Sequence, residues 1–153
     1  MLKMLLQNDI NATGHDIKAS KNFKDFGERY IPSKSHFFEK NDVILSIVRD
    51  TKETNDLLVN NNTLLSKKNA TILICSTLST TYIEELKNKL PKNFILIDTP
   101  MSGSTIKAKE GSLTFMVGGN KNEIEYVMPL LNILGDNVLH LSLIHISEPT
   151  RPY

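Results

Sequence analysis

The sequence predicts an α/β fold, a doubly wound parallel sheet, and three observations carry that prediction. The runs Val43–Val48, Thr71–Cys75 and Phe94–Ile97 are short, apolar and rich in β-branched residues, too short for helices and suited to strands. They are near-continuously apolar rather than alternating, which is the pattern of a sheet covered on both faces. Helix-start chemistry stands between them, so strand and helix alternate along the chain.

In chain order, Leu2, Leu5 and Leu6 share one helical face, although no strand precedes that helix. Ile10–Thr13, ended by Gly14, is a weaker strand candidate. After Val43–Val48, Asp50 stands three residues ahead of Glu53, the spacing of a capping oxygen and a returning carboxylate. Thr81 and Glu84 repeat it before Leu86 and Leu90. The stretch between Gly111 and Gly119, with Leu113, Phe115, Met116 and Val117, predicts a further strand ending in a Gly-Gly turn. Asn120 and Glu123 open a last helix with Ile124, Val127, Met128 and Leu131 on one face. Gly135 is expected to close it at the C′ position, ahead of a final strand around Val138–His140.

Composition narrows the function. The 153 residues suit one domain, and 40% hydrophobic with 23% charged residues is globular composition. A formal charge of +1 lacks the basic excess of a dedicated nucleic-acid binder. Cys75 is the sole cysteine, which excludes an intrachain disulfide and a cysteine-cluster zinc site and points to a reducing, cytoplasmic compartment. The greasy opening Met1–Leu6 meets Gln7-Asn8-Asp9 too soon for a signal-peptide core, and no apolar run reaches membrane-span length. His15, His36, His140 and His145 show no paired-ligand spacing, so no metal site is expected.

Folds of this class bind ligands at the carboxyl ends of their strands. The loops to inspect are Arg49-Asp50, Ser76–Ser79 and Asp98–Gly111. Ser102-Gly103-Ser104 offers hydroxyls and backbone N–H groups that suit a carboxylate or phosphate, or else forms a plain polar turn. Ser76 and Thr77 suit either a cofactor or the cap of the next helix. Cys75 reads as a small core residue, and the dispersed lysines read as solvated faces.

Asp98-Thr99-Pro100-Met101-Ser102-Gly103-Ser104, followed by Ala108, Gly111, Leu113 and Met116-Val117-Gly118-Gly119, resembles the 3-hydroxyisobutyrate dehydrogenase (β-hydroxyacid dehydrogenase) family. That family is related to 6-phosphogluconate dehydrogenase and carries D-A-P-V-S-G-G and then L-x-x-M-V-G-G. The resemblance extends to Asp42–Asp50, where the family strand ends in Leu-Pro, and to Cys75-Ser76-Thr77-Leu78, similar to M-S-T-I. It covers residues 1–140 and implies a Rossmann-like NAD(P)-binding domain of an oxidoreductase acting on a small 3-hydroxy acid or its semialdehyde. By position, Thr77 would contact the nicotinamide cofactor and Val48 and Arg49 would line its ribose through their backbone. Ser102, Gly103 and Ser104 would hold the substrate carboxylate.

The chain departs from the family in several places. Ser104 replaces a glycine, and Arg49 and Thr80 replace prolines. Met1–Leu6 resembles the middle of the family's first helix, so the first strand and its G-x-G-x-x-G loop, on the order of 15 residues, are expected to be missing and the sheet incomplete. Without that central strand an unpaired gap and poor solubility are expected. The catalytic Lys and nearby Asn that follow the family's last strand have no counterpart, so the chain as written is expected to be inactive and to bind dinucleotide weakly. Residues 141–153 resemble a translated sequencing adapter and are expected to be a non-native tail. At the end of the second strand, where Asp favours NAD and Arg favours NADP, Gly14 takes the acidic position and His15 the basic one, which leans to NADP. The family's helical second domain implies a homo-oligomer only for the complete enzyme. Two other readings stand beside this one: a non-catalytic ligand-binding or interaction module of the same fold, and an imine reductase or phosphogluconate-type relative.

Overall fold

The structure is a computed structural model, and it describes residues 1–18 and 23–141. The helix α1 (Leu2–Gln7) leads through an extended stretch and a 3₁₀ turn at Lys24–Arg29 to α2 (Lys34–Lys40). Three βα units follow. Strand β1 (Val43–Ser46) feeds α3 (Thr51–Thr54), which continues as a π turn over Asn55–Val59 and then α4 (Asn62–Leu65). Strand β2 (Thr71–Ile74) feeds α5 (Thr80–Lys89), and β3 (Ile95–Asp98) runs by way of the short β4 (Met101–Ser102) into α6 (Thr105–Glu110). The chain ends in β5 (Leu113–Val117), α7 (Lys121–Leu134) and β6 (Gly135–His140).

The three apolar runs form a parallel sheet, β1-β2-β3, with Val43, Thr71 and Ile95 on one rung and Ser46, Ile74 and Asp98 on another. Alternation along these strands feeds two cores. Ile44, Ile72, Ile74 and Leu96 face Phe38, Leu58, Leu64, Tyr82 and Leu86 from α2 to α5. Leu73, Cys75 and Ile97 face the other way, onto Leu5 of α1, Phe115 of β5 and Ile124, Val127 and Leu131 of α7. Both faces of the sheet are therefore covered, which is why its strands carry no polar alternation.

Beside this parallel sheet stands a second, mixed one, β4-β5-β6. At Asp98 the chain leaves β2 and takes up β5 instead. Asp98 exchanges backbone hydrogen bonds with Gly118 at 3.1 and 2.8 Å, the Met116 N–H donates to the Pro100 carbonyl at 2.9 Å, and Met101 pairs with Phe115, all in one antiparallel register. Strand β6 then pairs parallel to β5.

Several expectations need correction. Ile10–Thr13 is not a strand: the stretch makes one parallel rung, Gly14 with Tyr30. No described strand lies along the outer edge of β1. A cleft of about 420 Å³ lies between the Asn11–Thr13 stretch, Glu28-Arg29 and the end of α2 at Lys40-Asn41. The cap of α5 is Ser79, whose hydroxyl accepts the Tyr82 N–H at 3.3 Å, rather than Thr81. Gly135 does not close α7 in a left-handed conformation; it is extended and opens β6. A Cβ there would lie 2.4 Å from the Leu113 carbonyl oxygen, so glycine is required by close approach to β5. The left-handed closure belongs to Gly111 at the end of α6, with φ +70°. Of the adapter-like stretch, residues 142–153 lie outside the described residues, and the Leu141 N–H continues the β5–β6 pairing by donating to the Val117 carbonyl at 2.9 Å.

Candidate functional site at the carboxyl edge of the sheet

Three loops leave β1, β2 and β3 at one edge, and hydrogen bonds tie them side by side. The Ser76 hydroxyl donates to the Val48 carbonyl and so joins the ends of β1 and β2. The Thr99 N–H donates to the Ile74 carbonyl at 2.8 Å, and the Met101 N–H to the Cys75 carbonyl at 3.4 Å, which joins the ends of β2 and β3. Val48-Arg49, Thr77 and Ser102-Gly103 are thus each within two residues of a cross-strand bond. They come together because parallel strands in register end together.

Thr77 is exposed in the loop before α5, and so are Ser102, Gly103 and Ser104. Ser76 is buried and committed to Val48, which settles its role as structural. Gly103 has φ +147°, and a Cβ there would sit 2.7 Å from Leu113 Cδ2; the turn needs its glycine. The Ser104 hydroxyl accepts the Lys107 N–H at 3.3 Å as the cap of α6. Ser102 is the exposed last residue of β4, paired with Thr114, and Ser104, while accepting from Lys107, keeps its own O–H free to donate.

The Val48-Arg49 loop is already bonded. Glu53 accepts the Arg49 N–H at 2.8 Å and the Arg49 Nε–H at 2.7 Å, and also bonds the guanidinium terminus. Hydrogen bonding to the guanidinium holds the Glu53 carboxyl below its ordinary range and raises Arg49 in turn. Asp50 caps α3 by accepting the Glu53 N–H at 2.9 Å.

His15 stands apart from this group. Its Nδ1 lies 2.9 Å from the Ile31 carbonyl and its ring packs 5.8 Å from Phe37. No described contact joins it to Thr77 or to Ser102–Ser104. The adjacent Gly14 is crowded, because a Cβ there would meet Phe23 Cε1 at 2.5 Å, so an acidic side chain has no room unless Phe23 moves.

Sequence reasoning missed Asp98 as an individual group. It ends β3, its Oδ1 is buried without a partner, and burial pushes its carboxyl up to about 6. The signal available in the sequence was a carboxylate directly abutting an apolar strand. Cys75 on β2 is buried, with its thiol pushed up to about 11 by burial, and it is no nucleophile at neutral pH. A second cleft, of about 330 Å³ and lined by Asp42, Asn69, Asn93 and Tyr126, lies at the opposite, amino edge of the sheet. Among the described residues no three His, Cys, Asp or Glu side chains gather as a metal site, and no helix is long and apolar enough to cross a membrane.

A parallel sheet covered on both faces, with its loops gathered at the carboxyl edge, defines a Rossmann-type α/β domain. Residues 1–142 match the family described as the NAD binding domain of 6-phosphogluconate dehydrogenase, and the chain belongs to that family. It is similar to the mitochondrial 3-hydroxyisobutyrate dehydrogenase of Rattus norvegicus, at 30% identity over 156 residues covering 99% of this chain and 47% of the relative. It is similar also to the 2-hydroxy-3-oxopropionate reductase of Escherichia coli (strain K12), at 36% identity over 105 residues covering 65% of this chain and 35% of the relative. Among solved structures, the 3-hydroxyisobutyrate dehydrogenase of Salmonella typhimurium superposes with a TM-score of 0.81 at 23% identity, covering 92% of this chain and 51% of that one. The chain spans about half the length of the rat relative.

Proposed function

We propose that residues 1–140 are the NAD(P)-binding domain of an oxidoreductase that acts on a small 3-hydroxy acid or the corresponding semialdehyde, and that residues 141–153 stand outside that domain. One observation supports this above the others: the family match spans all three loops that the fold gathers at a single sheet edge.

The residues present fit a dinucleotide in part. The exposed Thr77 hydroxyl is open to the nicotinamide end. The Val48 carbonyl and the Arg49 N–H are engaged by Ser76 and Glu53, so these residues offer contact surface to the ribose rather than hydrogen bonds. With glycine at position 14 the acidic group that would favour NAD is absent, and this supports NADP, with His15 at the neighbouring position. When bound, the dinucleotide supplies the hydride acceptor or donor. This chain's own part is to orient: the Ser102 hydroxyl and the Gly103 N–H receive the substrate carboxylate, and the tight turn at Gly103 fixes their direction. Ser104 caps α6 as an acceptor and its free O–H donates to the same carboxylate. A reducing compartment such as the cytoplasm belongs to this proposal, consistent with one buried thiol and no disulfide.

The test is a titration of the chain with NADP+ and NAD+ followed by NMR. Both should perturb Thr77 and the residues after β1, NADP+ at lower concentration than NAD+. Shifts confined to the amino-edge cleft around Asn69 and Asn93 would overturn the site.

A further inference from the structure

Glu53 lies one helical turn inside α3, yet its carboxylate reaches back out of the helix to the loop that leaves β1. In an ordinary capping box the third helical residue returns to the N–H of the capping residue. Here it passes Asp50 and takes the N–H of Arg49 with one oxygen, while the other takes the guanidinium of the same residue. Arg49 is outside the helix, so this is not a surface pair between neighbouring helical turns. It is a bracket on one loop residue, holding main chain and side chain together. The Glu53 side chain is 27% exposed and the Arg49 side chain 79%, so the carboxylate is partly enclosed while the cation stays at the rim. Ser76 fixes the preceding carbonyl from the other side. With Asp50 capping α3, the three consecutive residues Val48, Arg49 and Asp50 are each tied down, at the mouth of the proposed cofactor site.

We infer that Glu53 is a positioning residue for that site: by clamping Arg49 it sets the shape of the Val48–Asp50 loop that the dinucleotide ribose meets. The inference rests on the function proposed above. A loop already ordered before binding loses less freedom when the ligand arrives, and that difference appears in affinity.

Two substitutions separate the backbone clamp from the charge pair. Glu53→Gln keeps one carbonyl oxygen for the Arg49 N–H and gives up the ion pair; Glu53→Ala removes both. Amide hydrogen exchange at Arg49 is measured on the free chain, and NADP+ affinity by NMR titration. Glu53→Ala should unprotect the Arg49 amide and weaken NADP+ binding about fivefold, the scale of ordering one loop. Glu53→Gln should keep the amide protected and stay within about twofold of the unaltered chain. An Arg49 amide that exchanges equally fast in the unaltered chain and in Glu53→Ala overturns the clamp without reference to any ligand. Unchanged NADP+ affinity in Glu53→Ala, or equal loss in both variants, overturns the positioning role alone. Absence of NADP+ binding by the unaltered chain removes the functional reading and this inference together.

Discussion

Asp98 keeps one carboxylate oxygen buried without a partner at the point where the chain passes from β2 to β5, and the cost of that burial fixes a pH dependence. Burial puts its folded pKa at about 6, above the ordinary aspartate value of 3.8. Between these values the folded state holds the proton more tightly than the unfolded state does, so the contribution to stability is present below pH 4 and is lost as pH rises through 6. Since Asp98 is only half-buried, solvent screening reduces the effect to about 1–2 kcal/mol. Asp98→Asn should therefore be more stable than the unaltered chain at pH 7 and should lose that advantage at pH 4. Urea unfolding at the two pH values checks this, and an identical pH profile for both proteins would refute it. Ser102 makes a different kind of prediction, in an enzyme that carries this domain together with its catalytic lysine. If Ser102 binds the substrate carboxylate as proposed, Ser102→Ala removes a charge-assisted hydrogen bond of roughly 1.5–3 kcal/mol and should lower kcat/KM about ten- to hundredfold. The loss should fall mainly on KM, because the hydroxyl positions the substrate and transfers no proton. Steady-state kinetics with both constants untouched would remove Ser102 from the site.

At the scale of elements, glycine and caps decide where the chain turns. Gly135→Ala drives a Cβ to within 2.4 Å of the Leu113 carbonyl, which belongs to the backbone of β5 and cannot step aside without disturbing the β5–β6 pairing. Gly103→Ala meets the tip of Leu113, a flexible side chain, in addition to its unfavourable φ. Gly135→Ala should therefore cost more, about 3 kcal/mol against about 1 for Gly103→Ala, an order that chemical denaturation of the two variants reads directly. For α5, Ser79→Ala should cost about 1 kcal/mol, whereas Thr81→Ala should stay within about 0.5. Melting curves showing the reverse order would return the cap to Thr81.

Taken whole, the molecule joins a parallel three-stranded sheet to a mixed one through the Asp98–Gly118 bridge, and covers both faces with helices. On the proposed function the cofactor would meet the first sheet and the substrate the turn after β4, so ligand and stability effects should couple across that bridge.

The residues that follow a local rule were legible from sequence alone. Val43, Thr71 and Phe94 begin apolar runs too short for anything but strands, and Asp50 and Asn120 cap helices because their oxygens act on N–H groups two or three residues away. The turn at Gly103-Ser104 was legible as a small polar turn, but Ser102 before it is a strand residue because Thr114 of β5 pairs with it. Tertiary structure decided what depends on partners distant in sequence. Ile10–Thr13 has strand character but pairs only at Gly14, since a strand exists through its neighbour and no described strand adjoins it toward β1. Gly135 became an extended strand residue because Leu113, more than twenty positions earlier, comes too close for any Cβ. Ser76 went to Val48, Glu53 to Arg49 and Ser104 to its own helix. Which hydroxyl stays open to a ligand is settled by which neighbours the fold brings within hydrogen-bonding reach, and composition and spacing carry no record of that.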